Sequence, residues 1–282
     1  MLSYRHGFHA GNHADVLKHL VFVQILQSLH KKPAALCCID THAGAGSYDL
    51  RAKEAEKVGE FRAGIEKVWQ APAPPALIQT YLDAVCANNP SRPDELRYYP
   101  GSPALAHHFL RPQDRMVLIE RHPSDHARLD RIYAPNAACR VELGDGYTLL
   151  KAFVPPREKR GVVLIDPAYE LKTEYQDLLD SLTAAYQRWA TGVYVIWYPH
   201  VARAQTGRLL KRIAASGLRR ILKVELALTA PRAEFGLWGS GLLIVNPPYE
   251  LDVQIAAILP WLRHILGATS EAPAGVNWLV PE

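Results

Sequence analysis

Short apolar runs alternate with stretches of helical periodicity along most of this chain, and that alternation limits the fold more than any other feature. The runs are "AALCCID" (34–40), "RMVLIE" (115–120), "ACRVELGD" (138–145), "GVVLID" (161–166), "GVYVIWYP" (192–199), "RILKVELAL" (220–228) and "SGLLIVNPP" (240–248). Between them lie amphipathic stretches such as "HPSDHARLDRIY", "TEYQDLLDSLTAAYQRW" and "VARAQTGRLLKRIAASG". A strand–helix–strand rhythm means a mostly parallel sheet covered on both faces. The last two of the seven strands have no helix between them, which predicts an antiparallel hairpin at the end of the sheet. A helix from about His13 to His30, with Asn12 as N-cap, precedes the first strand.

The rhythm breaks over residues 50–95. "AEKVGEFRAGIEKVWQ" and "PALIQTYLDAVCANN" read as two helices joined by the linker "APAPP", so this stretch is expected to be a small helical subdomain inserted in a single domain spanning 1–282. With 49% hydrophobic and 21% charged residues, a sizeable core is affordable and long disorder is excluded. The four cysteines include no C-x-x-C pair and read as reduced thiols. The N-terminus carries no secretory h-region and the longest apolar runs are strand-length, so a soluble cytoplasmic protein with no membrane partner is expected. A net charge of +4 permits a nucleic-acid partner without requiring one.

Candidate site residues collect at the ends of the strands, where ligands of such sheets bind. Asp40 ends the first strand and is followed by Gly44 and Gly46 in "DTHAGAGSY". The segment is neither G-x-G-x-x-G nor a phosphate-binding P-loop, and its acid repels phosphate but suits a cation such as S-adenosylmethionine. An ordinary tight turn explains it equally well. Glu120 ends the second strand and can accept hydrogen bonds from two ribose hydroxyls, or be a solvated strand-end acid. Asp145 follows the third strand and either holds an adenine amino group or caps the next helix.

Two stretches near the end read almost alike: "VVLIDPAYE" (162–170) and "LLIVNPPYE" (242–250). An acid or amide followed by proline and an aromatic ring suits methylation of an amine conjugated to a ring. A carboxylate accepting one N–H and a backbone carbonyl accepting the other localise the nitrogen lone pair; the aromatic ring stacks on the extruded base. Asp166, Pro167 and Tyr169 would fill these roles. Strand direction favours this first copy. The fourth parallel strand lies beside the first, whereas Asn246 ends an antiparallel strand and so opens on the opposite edge. Asn246–Tyr249 is then a strand stop and turn.

The N-terminal segment "MLSYRHGFHAGNHADVLKH" reads as a strap over the pocket. Lys18 and His19 can reach a cofactor carboxylate, and Tyr4, Arg5 and His6 a base or phosphate; a packed tail or exposed helix face is the alternative. His9 and His13 stand four apart but lack H-E-x-x-H and any thiolate partner, so no metal is expected.

Together, "MLSYRHGFHAGNHADVLKH", "DTHAGAGSY", "LRYYPGSP", "LIE.HPSD", "VE..DGY", "GVVLIDPAYE" and "W.VPE" resemble the bacterial 23S ribosomal RNA adenine-N6 methyltransferases of the J type, over the whole chain. The resemblance implies a Rossmann-like class I S-adenosylmethionine-dependent α/β fold and methylation of one adenine of 23S rRNA without metal. It also implies cofactor contacts at His19, His42, Ser102, Glu120, Gly144 and Asp145, catalysis by Asp166 and a substrate role for Tyr4. The one departure is Ala168, where the family has a second proline. A monomer is the default expectation. A DNA adenine methyltransferase, a protein glutamine methyltransferase and an inactive RNA-binding descendant are the competing readings.

Overall fold

The computed structural model describes residues 5–89, 95–171, 173–201, 205–231 and 236–282. After a 3-10 turn at His6–Phe8 come α1 (His13–His30), β1 (Cys37–Asp40), β2 (Ser47–Asp49), α2 (Lys53–Val58), a second 3-10 turn (Glu60–Ala63), α3 (Ile65–Gln70), α4 (Ala76–Ala87), β3 (Tyr98–Pro100) and α5 (Ser102–Phe109). The alternation follows with β4 (Arg115–Glu120), α6 (Pro123–Tyr133), β5 (Cys139–Leu143), α7 (Gly146–Phe153), β6 (Gly161–Ile165), α8 (Glu174–Arg188), β7 (Val193–His200) and α9 (Gln205–Ala214). The chain closes with β8 (Ile221–Ala227), β9 (Gly239–Val245), α10 (Leu251–Leu266) and β10 (Ala274–Val280).

The main sheet has the order β10-β8-β9-β7-β6-β1-β4-β5. β1 pairs in parallel with both β4 and β6, so strand order reverses at β1. β9 runs antiparallel to β7 and to β8, the terminal hairpin that the missing crossover helix predicts. Among the described residues the sheet has eight strands rather than the expected seven, because "AGVNWLV" adds β10 to the outer edge of β8. That strand is partly exposed along its length and lacks the buried apolar run that marks the others.

Burial follows the two-residue period of the strands. Cys38, Met116, Leu118, Val162 and Leu164 face one core, shared with α1, α4, α5 and α10. Cys37, Ile39, Val117, Val163 and Ile165 face the other, shared with α7, α8 and α9. Helix α1 lies inside the first layer, and every residue from Ala14 to Leu26 is buried. A helix apolar on all sides belongs in a core, so its polar members Asp15, Lys18 and His19 must find partners within the protein.

In the 50–95 stretch the first expected helix is broken. Gly59, at φ 69°, ends α2 in the left-handed conformation that glycine adopts without Cβ strain, and α3 starts only after Gly64. The pairing of β2 with β3 brings the two ends of the stretch together, and its side chains Phe61, Ile65, Val68 and Tyr81 join the core of α1 and α10. Among the described residues no helix is long and apolar enough to cross a membrane.

Candidate active site

A cavity of about 480 Å³ opens at the carboxyl ends of β1, β4 and β6, within the range of small-ligand sites. His6, Lys18, His19, His42, Gly44, Ser102, Glu120, Asp145, Asp166 and Pro167, all named above from sequence, lie on its wall. Asp40, Gly46, Gly144 and Tyr169 are not among the residues that line it. Arg5 stands outside at 3.4 Å from the Ser124 hydroxyl, and Tyr4 lies outside the described residues.

The glycine turn is built around Glu120. Glu120 Oε2 accepts the Gly44 N–H at 2.7 Å, and Oε1 accepts the His122 N–H at 2.6 Å. A carboxylate has about four acceptor directions, so acceptor capacity remains for a ligand. Burial raises the Glu120 pKa against the pull of those two N–H groups. Gly44, at φ 62°, has no room for a side chain: a Cβ there would stand 2.3 Å from the Tyr48 hydroxyl. Gly46 turns away from the cavity, and its carbonyl accepts the Gly101 N–H at 2.9 Å.

Asp40 is buried behind this turn. Its Oδ1 accepts the His42 N–H at 3.1 Å, while Oδ2 is a buried oxygen without a hydrogen-bond partner among the described residues. Burial pushes its carboxyl up to about 7, against the Ser102 hydroxyl and the His42 N–H. Ser102 is the first residue of α5, capped by Gly101. Asp145 caps α7 by accepting the Thr148 N–H at 2.9 Å, and its Oδ2 lies 3.3 Å from Arg121. A cap uses one oxygen and leaves the carboxylate on the wall, so the two sequence readings of Asp145 are compatible.

At the end of β6, Asp166 Oδ2 meets Lys18 Nζ at 2.5 Å. Lys18 also donates to Asp15 Oδ1 at 2.7 Å, and Asp15 Oδ2 takes the Gly11 N–H and lies 2.9 Å from His6 Nε2. Two of the three Lys18 donors are therefore held by protein carboxylates. Burial works against both ions, yet His6 and Lys18 hold the Asp15 carboxyl well below its usual range, and Asp15 and Asp166 raise the Lys18 ammonium. Burial and then the Lys18 charge hold the His19 imidazole well below its ordinary pKa, and its Nδ1 meets the Tyr99 hydroxyl at 2.7 Å.

Tyr169 sits at φ 54° and is 6% exposed. Its hydroxyl donates to the Trp197 carbonyl at 2.7 Å and its ring packs on Tyr175 at 4.6 Å. The ring is held in the core rather than offered to the cavity, and would have to leave this packing to stack on a base. The aromatic surface facing the cavity beside Asp166 belongs to Trp197 and Tyr147.

The second D/N-P-x-Y copy lies elsewhere. Asn246 follows β9, whose end pairs with Tyr194 and so lies at the start of β7. Its amide donates to the carbonyls of Ala190 and Gly192, both at 2.8 Å, and Tyr249 is 82% exposed. The sheet direction puts Asp166 and Asn246 on opposite edges.

Sequence reasoning passed over Asp15, Glu60 and Trp197, all on the wall. Asp15 had a signal, an acid three residues before Lys18 in an otherwise apolar helix. Glu60 had none, since nothing local marks one exposed-looking glutamate of the 50–95 stretch as part of the cavity.

Residues 33–280 match the family described as RsmJ, ribosomal RNA large subunit methyltransferase D, RlmJ. Ribosomal RNA large subunit methyltransferase J of Escherichia coli is 45% identical over 282 residues, all of both chains. The protein of that name from Haemophilus influenzae is 44% identical over the same length. The crystal structure of protein LPL1258 from Legionella pneumophila superimposes with a TM-score of 0.88 at 35% identity, covering 96% of this chain and 98% of that one.

Proposed function

This chain belongs to the RlmJ family of ribosomal RNA large subunit methyltransferases, and on that footing we propose that it methylates 23S ribosomal RNA from S-adenosylmethionine, at the exocyclic N6 of an adenine. The observation that carries the reading is the placement of Asp166. It leaves β6 next to β1, beside the Gly44 turn, on the wall of an acid-rich cavity.

The cavity wall fits the methyl donor. The donor carries an ammonium and a sulfonium; carboxylates at Glu120, Asp145 and Asp166 face the cavity, and the orphaned Asp40 Oδ2 lies behind the glycine turn. Glu120 has acceptor directions left for ribose hydroxyls, and Gly44 lets the backbone approach closely. Ser102, His42 and His19 would complete the wall around it. When bound, S-adenosylmethionine supplies an electrophilic methyl group on sulfur.

The protein's share of the chemistry is positioning and charge. An adenine amine is a poor nucleophile because its lone pair is delocalised into the ring. Asp166 would accept one amine N–H through Oδ1, since Lys18 occupies Oδ2, and the Pro167 carbonyl would accept the other. Both bonds favour a tetrahedral nitrogen and localise the lone pair for in-line attack. The carboxylate then stabilises the positive charge that grows on nitrogen and takes up the departing proton. Trp197 offers the extruded base an apolar face, in the place first expected of Tyr169. Arg5 and His6, with Tyr4 before them, are the candidate contacts to the RNA.

The test is transfer of labelled methyl to protein-free 23S rRNA, assembled large subunits and duplex DNA. N6-methyladenosine in rRNA, lost with Asp166→Ala, is the expected result. Cofactor binding with no transfer to any of the three substrates would overturn it in favour of an inactive binding module.

A further inference from the structure

The stretch between β2 and β3 reaches the cavity through Glu60, in the turn that follows α2. Glu60 Oε1 lies 3.0 Å from His9 Nδ1, and Oε2 accepts from Asn12 Nδ2 at 2.9 Å. Asn12 also caps α1, its Oδ1 accepting the N–H groups of Ala14 and Asp15 at 3.0 and 2.9 Å. The amide is thus fixed at both ends, oxygen toward α1 and nitrogen toward Glu60. Five residues beyond Glu60, the Ile65 N–H donates to the Gly11 carbonyl at 2.8 Å. A Cβ on Gly64 would stand 2.1 Å from that same carbonyl oxygen, so the two backbones touch.

The other side of the N-terminal segment is held by α1. Asp15 binds the Gly11 N–H and lies against His6 Nε2, both at 2.9 Å. Residues 6–12 are therefore gripped between the first turn of α1 and the 59–65 stretch. His9, Asn12 and Glu60 all line the cavity, so the grip closes on the cavity wall itself.

We propose that Glu60 is a positioning residue for the reaction, fixing the N-terminal segment along the cavity wall where that segment meets the RNA. The proposal rests on the methyltransferase reading and gives the 50–95 stretch a task besides any contact of its own with RNA. Glu60 touches neither reacting atom in this account. It acts through His9 and Asn12 on residues 6–12.

The experiment compares wild type with Glu60→Ala and Glu60→Gln on transcribed 23S rRNA, reading KM, kcat, donor affinity and unfolding midpoint. Loss of positioning by Glu60→Ala should raise KM for RNA about tenfold, with kcat and donor affinity within about threefold. Glu60→Gln should recover part of the loss, because the amide keeps an oxygen acceptor at one of the two places that Oε1 and Oε2 hold and puts an NH2 donor at the other. His9→Ala combined with Glu60→Ala should lose little more than the worse single variant, as residues in one contact do. An unchanged KM for RNA in Glu60→Ala, or a parallel fall of every parameter and of the midpoint with no recovery in Glu60→Gln, would overturn the proposal. A readout independent of activity separates its failure from failure of the methyltransferase reading. Trypsin should cut after Arg5 about tenfold faster in Glu60→Ala, following the population of the released segment, and equal rates would sink the grip even if no RNA is methylated.

Discussion

Lys18 Nζ stands between two carboxylates, 2.5 Å from Asp166 Oδ2 and 2.7 Å from Asp15 Oδ1. Lys18 and Asp15 are 3% and 1% exposed, so this is a buried chain of ion pairs rather than a surface pair. Removing one partner of a buried pair costs about 3–5 kcal/mol, because the other charge is left without compensation. Lys18→Met should therefore lower the unfolding midpoint and release the side chain of Asp166. Measured below the midpoint on protein shown to be folded by circular dichroism, kcat should fall about a hundredfold or more, as for loss of a preorganised electrostatic contact. Wild-type turnover in folded Lys18→Met would show that Asp166 needs no such support.

The two motif copies make a paired prediction. Asp166→Ala should abolish methyl transfer and should lower the unfolding midpoint less than Lys18→Met does, because Lys18 keeps Asp15 as a partner. Asn246→Ala should cost stability and leave transfer intact. It loses hydrogen bonds to Ala190 and Gly192 and leaves alanine at φ 54°, a combined cost of about 1–3 kcal/mol. Turnover should stay within about twofold, because Asn246 is on the far edge of the sheet. A dead Asn246→Ala with native stability would refute the assignment.

The placement of the two copies on opposite edges was legible because it depended on strand direction, and direction follows from whether a helix separates two strands. The terminal hairpin was readable on the same ground. The eighth strand was not, because an exposed edge strand has no buried face to imprint a pattern on "AGVNWLV". Helix α1 could be delimited from its apolar run and its Asn12 cap, but the partner of its lysine could not. Asp166 is 148 residues away, and only the completed sheet brings the two together. Tyr169 shows the opposite failure. Its motif suggests a stacking ring, yet a positive φ and the Trp197 carbonyl turn it into the core. Local spelling picked out the segment after β6 that reaches the cavity wall but not which way each of its residues faces.

Ala168 stands on the cavity wall between Pro167 and Tyr169. A proline there would fix its φ near −65° and stiffen the approach to Tyr169. The loop is already held on both sides, by Lys18 on Asp166 and by the Tyr169 hydroxyl on Trp197. Ala168→Pro should consequently change turnover by less than about tenfold, since little conformational freedom is left to remove. A gain of about a hundredfold, equivalent to about 2.7 kcal/mol of barrier, would mean that alanine leaves the 166–169 loop poorly ordered.

The pH dependence of stability has opposing contributors that one variant can separate. Burial holds the His42 imidazole at about 4 against 6.5 in the unfolded chain. The unfolded state therefore binds protons first on acidification, so this contribution is complete above pH 6.5 and is lost as pH falls toward 4. At most it is worth ~3 kcal/mol, and less to the degree that water reaches the ring. Asp40 acts in the other sense. Its folded pKa of about 7 exceeds the 3.8 of the unfolded chain, so it favours folding below 3.8 and loses that contribution as pH rises through 7. The two windows overlap, and the wild-type curve alone would mix them. Urea unfolding of wild type and His42→Gln at pH 7 and at pH 4.5 isolates the histidine. The stability difference between the two proteins should shift in favour of His42→Gln by about 2–3 kcal/mol between those pH values. A difference that stays constant would mean that His42 titrates normally in the native cavity, and that the imidazole is hydrated rather than buried against Thr41 and Tyr147.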